Sequence, residues 1–135
     1  MSLGDELRYL RAFHGGGDLT EAEIGFNPKE LYVMEQRYRR VGEDDDILAK
    51  LAAYYGVPLE KLQWHRERYR KALSAYLQGA MESEDPASFT LRTGEEMRGR
   101  VRWWDLGAFG LEHEAGDALT VVQRHAVIDW EGAGA

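Results

Sequence analysis

The spacing of apolar residues changes once along this chain, at Pro86, and that change limits what each part can fold into. Before it, apolar side chains recur every three or four residues, as on one face of a helix. After it they alternate with polar ones and are mostly β-branched or aromatic, as on a strand with one buried face. Leu3, Leu7 and Leu10 predict a first helix ending at Gly15-Gly16-Gly17, a run too costly in conformational entropy to sit inside an element. Thr20, with Glu23 at the capping-box position, predicts a short helix closed by Gly25. Pro28 suits the first turn of the next helix, whose inward stripe is Leu31, Met34 and Tyr38 and whose outer face carries Lys29, Val33, Arg37 and Arg40.

The acidic run Glu43 to Asp46 lies where negative charge favours a helix start, ahead of Ile47, Leu48, Leu51, Ala52 and Tyr55, with Gly56 as a left-handed stop. It lacks the spaced ligands and central glycine of a calcium loop. Pro58 opens a last helix, predicted to run unbroken to about residue 82 with Leu62, Tyr69, Leu73, Tyr76, Leu77 and Ala80 on one side. Beyond Pro86, five short antiparallel strands in under fifty residues bury their faces only by bending, and Gly99 marks the bend. Trp103 and Trp104 alternate, so one is expected inside the barrel and one outside. The fold class is therefore α+β.

Several chemistries are excluded. With no cysteine there is no disulfide, zinc-thiolate site, iron–sulfur cluster or thiol nucleophile. The four histidines show no metal-ligand spacing, and no nucleophile–base pair stands out, so no catalytic residue, metal or cofactor is expected. His14, His65 and His113 read as surface or packing residues. No run approaches the roughly 20 apolar residues of a membrane helix, and the first residues lack the apolar core of a signal peptide, which predicts a cytoplasmic protein without membrane contact. The net charge of −7, shared by both parts, argues against a generic polyanion binder. The stretch from Lys61 to Lys71 is nonetheless basic, with five cations against Glu67.

The string LRTGEEMRGRVRWWD at 91–105, followed by VVQRHAVID at 121–129, resembles the bacterial Sm-like RNA-binding family of Hfq. The likeness spans about residues 73–131. It includes Gly94 in the first turn, Gly99 at the bend, the Trp104-Asp105 pair and the string Arg124-His125-Ala126-Val127. It implies a five-stranded bent antiparallel barrel capped by a helix and assembled edge to edge into a ring, here expected to be a hexamer. In that family the basic-His string lines the pore and receives uridine-rich single-stranded RNA. Carried over, Arg124 and His125 would contact RNA, with Gln123 beside them. Gly107 stands where the family has a stacking aromatic, and Phe109 is the nearest substitute. The family's arginine-rich rim falls on Met81-Glu82-Ser83-Glu84, and the opposite face carries Thr90, Glu95, Glu96 and Met97.

The first part is similar to a helix-turn-helix of the Cro/repressor type. The carriers are LGDELRYLR at 3–11, LTEAEIG at 19–25, LYVMEQR at 31–37 and ILAKLAAYYGVPLEKL at 47–62. In such domains the third helix enters the major groove of duplex DNA. The positions carried over for reading bases are Lys29, Tyr32, Val33 and Gln36, with Arg37 and Arg40 available for phosphates. The expected organisation is a helix-turn-helix domain at 1–63, a connecting and capping helix at 64–84 and a barrel at 85–131. The function expected is non-catalytic nucleic-acid-binding regulation by a ring that takes single-stranded RNA in its pore. The alternative is an oligomeric scaffold whose barrel multimerises the helical domain for DNA or protein partners. Gly107, the acidic rim, Glu95-Glu96 and Glu21, which stands where the helix-turn-helix family has a glutamine, favour that alternative.

Overall fold

A computed structural model describes residues 2–35, 40–113 and 118–131. The chain is α+β and divides into two units, Ser2–Arg70 and the part from Lys71 onward.

In the first unit, local signals set the helix ends. Helix α1 (Leu3–Phe13) starts in a reciprocal capping box: Ser2 Oγ accepts from Asp5 N at 3.2 Å, and the Asp5 carboxylate accepts from Ser2 N at 3.1 Å. Thr20 and Glu23 repeat the device at α2 (Glu21–Ile24). Helix α3 (Pro28–Met34) opens on Asn27 with Pro28 in its first turn. The acidic run starts α4 (Asp45–Tyr55), where Asp44 Oδ1 accepts from Asp46 N and Ile47 N. Left-handed Gly25 and Gly56 close α2 and α4, as expected. Leu3, Leu7, Leu10, Leu31, Leu48, Leu51 and Leu62 form the core. Tyr38, expected in the same stripe, lies outside the described residues.

Two buried carboxylates cross-link this bundle. Glu35 accepts from Arg11 Nε at 2.7 Å and Arg11 Nη2 at 3.0 Å, while its backbone carbonyl accepts from Arg8. Glu6, 1% exposed, meets Lys61 Nζ at 3.3 Å and the buried His65 Nε2 at 3.7 Å. Tyr55 is also buried, and its hydroxyl makes no hydrogen bond among the described residues. Burial pushes this phenol up to about 12, with Glu35 adding to the shift. The neutral phenol's contribution to stability is therefore complete below pH 10 and is lost as pH rises through about 12. Tyr55→Phe removes an unsatisfied hydroxyl, so chemical denaturation at pH 7 is expected to show no loss or a gain of up to about 1 kcal/mol. A loss above that would reveal a hydrogen bond to the hydroxyl.

The predicted long helix is two helices. Helix α5 (Leu59–Arg66) stops at Glu67, and α6 (Arg70–Ser83) follows. At the break Arg68 folds back over the Trp64 ring at 3.3 Å, and its guanidinium donates to the Trp64 carbonyl. That side chain satisfies a carbonyl the helix leaves open at its end. Leu62 accordingly belongs to the first core, while Leu73, Leu77 and Ala80 belong to the second. The unit boundary at Arg70 thus falls inside the stretch read as a connecting helix at 64–84.

The second unit is α6 and a five-stranded antiparallel sheet of β1 (Ala87–Leu91), β2 (Glu96–Trp104), β3 (Ala108–His113), β4 (Leu119–Gln123) and β5 (Val127–Trp130), in the order β4-β3-β2-β1-β5. Among the described residues the outer strands β4 and β5 do not pair with each other, so the single subunit has an open sheet in place of the expected barrel. Its core holds Leu77, Phe89, Phe109, Leu111, Val127 and Trp130. A bulge between Val101 and Trp103 breaks the alternation of β2. It places Trp103 opposite Gly110 on the outer face and Trp104 opposite Phe109 on the core face. One tryptophan is in and one out, as expected, and the inserted residue decides which.

Candidate nucleic-acid interface

The string Gln123-Arg124-His125-Ala126 forms the connection from β4 to β5, with Arg124–Ala126 in one turn of 3-10 helix. Three backbone bonds hold it: Arg124 N donates to Gly107 O at 2.9 Å, Arg92 N donates to Ala126 O at 2.8 Å, and Val127 N donates to Arg124 O. Gln123 and His125 are exposed. Arg124 is not; at 3% exposure it points inward, donating from Nη1 to Asp105 O and from Nη2 to Ser74 Oγ, each at 2.7 Å. Its guanidinium also lies 5.6 Å from the centre of the Trp104 ring, whose Nε1 donates to Gln78 Oε1 at 2.9 Å. Asp105 closes the neighbouring turn, its Oδ1 accepting from Gly107 N and Ala108 N, both at 2.8 Å.

Phe109 requires a correction. It is 0% exposed, with its ring centre 4.6 Å from that of Phe89, so it fills the core and cannot replace the aromatic that Gly107 lacks. The β3 register dictates this: Phe109 opposes the buried Val122, while its neighbours Ala108 and Gly110 face outward.

On the outer face of the sheet, Thr90 is paired with Glu96 on one side and Asp129 on the other, a row of two carboxylates flanking a hydroxyl. Of the arginines that β2 places on this face, two are engaged locally. Arg98 donates to Ser88 Oγ at 2.9 Å, and Arg102 pairs with Glu112 across the strands. The hydrogen bond from Arg102 holds the Glu112 carboxyl below the usual range. At the open edge, Leu119 and Val121 of β4 are 49% and 55% exposed.

In the first unit, Lys29, Tyr32 and Val33 lie on the exposed face of α3, opposite the buried Leu31 and Met34. The Arg11 guanidinium sits 5.5 Å from the Tyr32 ring centre. Arg40 is exposed but already paired, with Glu67 and with Glu43 at 3.4 Å. Gln36 and Arg37 lie outside the described residues. Among the described residues no group of His, Asp or Glu is placed to hold a metal ion, and no helix is long and apolar enough to cross a membrane. Sequence reasoning missed Ser74 and the Asp105 carbonyl as partners of Arg124, and Gln78 as the partner of the neighbouring Trp104. The one signal was the spacing of Ser74 and Gln78, four apart on a single helical face.

No family model matches the chain, and no curated protein does. Among solved structures it is similar to the pleiotropic translational regulator Hfq, with 14% identity and a TM-score of 0.40 over 44% of this chain and 95% of that one. The α+β architecture rests on the strand order and register given above, not on that likeness.

Proposed function

We propose that this chain is a non-catalytic regulator that assembles into a ring, hexameric by resemblance, and binds uridine-rich single-stranded RNA at the turn joining β4 to β5. The observation that carries this reading is the exposed His125 on a turn tied down by three backbone bonds and by the inward Arg124. A backbone turn fixed before a ligand arrives loses little entropy on binding, so the imidazole it presents, with Gln123 beside it, gives a usable contact. The open edges of β4 and β5, with Leu119 and Val121 exposed, favour closure by neighbouring copies. A ring repeats the contact, and avidity multiplies weak sites.

The test is fluorescence anisotropy of the oligomer with uridine-rich, adenine-rich and duplex DNA probes across salt. Wild type is expected to prefer the uridine-rich probe, and His125→Ala to weaken it about tenfold with the light-scattering mass unchanged. An intact oligomer that binds no RNA at low salt overturns the reading.

A second reading is favoured by the burial of Phe109 and by the Glu96 and Asp129 carboxylates that flank Thr90 on the outer face and disfavour phosphate there. In it the sheet only multimerises the helical unit for duplex DNA or protein partners. Binding of duplex DNA but not RNA, abolished by Arg37→Ala with Arg40→Ala, would identify a DNA-binding assembly. Silence with every probe would leave protein partners.

A further inference from the structure

We infer that Arg124 is a positioning residue that acts through His125, not a phosphate contact; as a role in binding, this rests on the RNA reading above. Arginine in a basic string next to histidine invites assignment as a ligand contact, yet this guanidinium is 3% exposed and faces away from solvent. Its two terminal nitrogens join separate segments, Ser74 on α6 and the Asp105 carbonyl after β2, while its backbone N–H is bonded to Gly107. The Trp104 ring beside it is anchored in turn to α6 through Gln78. Ser74 and Gln78 thus form a ladder on one face of α6, and Arg124 is the link from that ladder to the turn carrying His125.

The chemistry calls for arginine. A planar fork reaches two acceptors at once and stacks beside an indole, whereas a lysine ammonium is a single compact charge on a flexible stem. Hydrogen bonds from a charged donor are stronger than neutral ones, and inside the subunit they are less screened by salt. Arg124 therefore fixes the direction in which the imidazole leaves the turn without adding charge to the surface that RNA meets.

Arg124→Lys separates the two roles. A phosphate contact survives it because the charge stays, but a two-acceptor clamp does not. In the full-length oligomer, hydrogen exchange of peptides covering 123–128 is expected to quicken about tenfold, with the β1–β3 peptides unchanged. Affinity for the uridine-rich probe is expected to fall about tenfold, with the slope of log affinity against log salt unaltered. In a His125→Ala background the same change is expected to cost less than about twofold, the mark of a residue acting through another. Ser74→Ala, which removes one acceptor and no charge, should produce about a threefold loss if Arg124→Lys fails to fold.

Unchanged exchange at 123–128 in both variants overturns the clamp. Near-wild-type RNA binding by Arg124→Lys, with a salt slope lowered by about one in Arg124→Gln, makes Arg124 a phosphate contact and overturns the inference. If the wild-type oligomer binds no RNA, the proposed function and the positioning role both fail, while the exchange data still decide whether the clamp exists.

Discussion

Phe109→Ala is expected to destabilise the sheet unit by about 3–5 kcal/mol, the range for truncating a buried aromatic. The ring is fully buried, tilted 39° against Phe89 with centres 4.6 Å apart, and its strand partners place Val122 on one side and Trp104 on the other. Alanine leaves a void bounded by two strands whose backbones are fixed by the ladder, so collapse around it is limited. The loss is a large share of the roughly 5–15 kcal/mol that hold an ordinary domain folded. Chemical denaturation followed by tryptophan fluorescence reads it directly, since Trp104 and Trp130 belong to the same core. A cost below about 1 kcal/mol, together with a sharp loss of RNA binding, would mean that the ring leaves the core to meet bases.

Gly99→Ala is expected to cost about 3 kcal/mol, at the upper end for overpacking. A Cβ at Gly99 would stand 2.3 Å from the Glu112 carbonyl oxygen, 2.9 Å from its carbon and 3.1 Å from Leu111 Cγ. The first two are backbone atoms of β3, paired through this register, so they cannot swing aside as a side-chain tip would. Gly79→Ala is the control. Nothing lies within 4 Å of a Cβ there, and alanine in mid-helix is expected to add about 0.5–1 kcal/mol. Urea midpoints of the two variants should move in opposite directions. A harmless Gly99→Ala would show that β2 and β3 can separate at the bend.

Most of the helical unit was legible because its signals are local. Thr20 and Asp44 bond to backbone groups two or three residues away, and Gly25 and Gly56 need only their own φ, so a short window of sequence contains both partners; the Ser2 cap of α1 is equally local but was not read. The helix end at Arg66 was not legible. Nothing in the periodicity of 59–82 announces that Arg68 will turn back over Trp64, since the apolar stripe of Leu62, Tyr69 and Leu73 continues across the break. The candidate site was half legible. Its residue types pointed to the 124–126 turn, but whether each side chain faces solvent or core depends on segments as much as fifty positions away, such as Ser74 for Arg124.

The sequence by itself determined the α+β class, the change of period near Pro86, the starts of α2, α3 and α4 and the inward stripes of α1, α3 and α4. These follow from bonds and periodicities closed within a few residues. Tertiary structure alone decided that β2 carries a bulge that turns Trp104 inward, that Phe109 fills the core, and that Arg124 is buried while His125 is presented. The reason is physical. A strand has two equivalent faces until its partners set a register, and a side chain's environment is made by residues that only folding brings within reach.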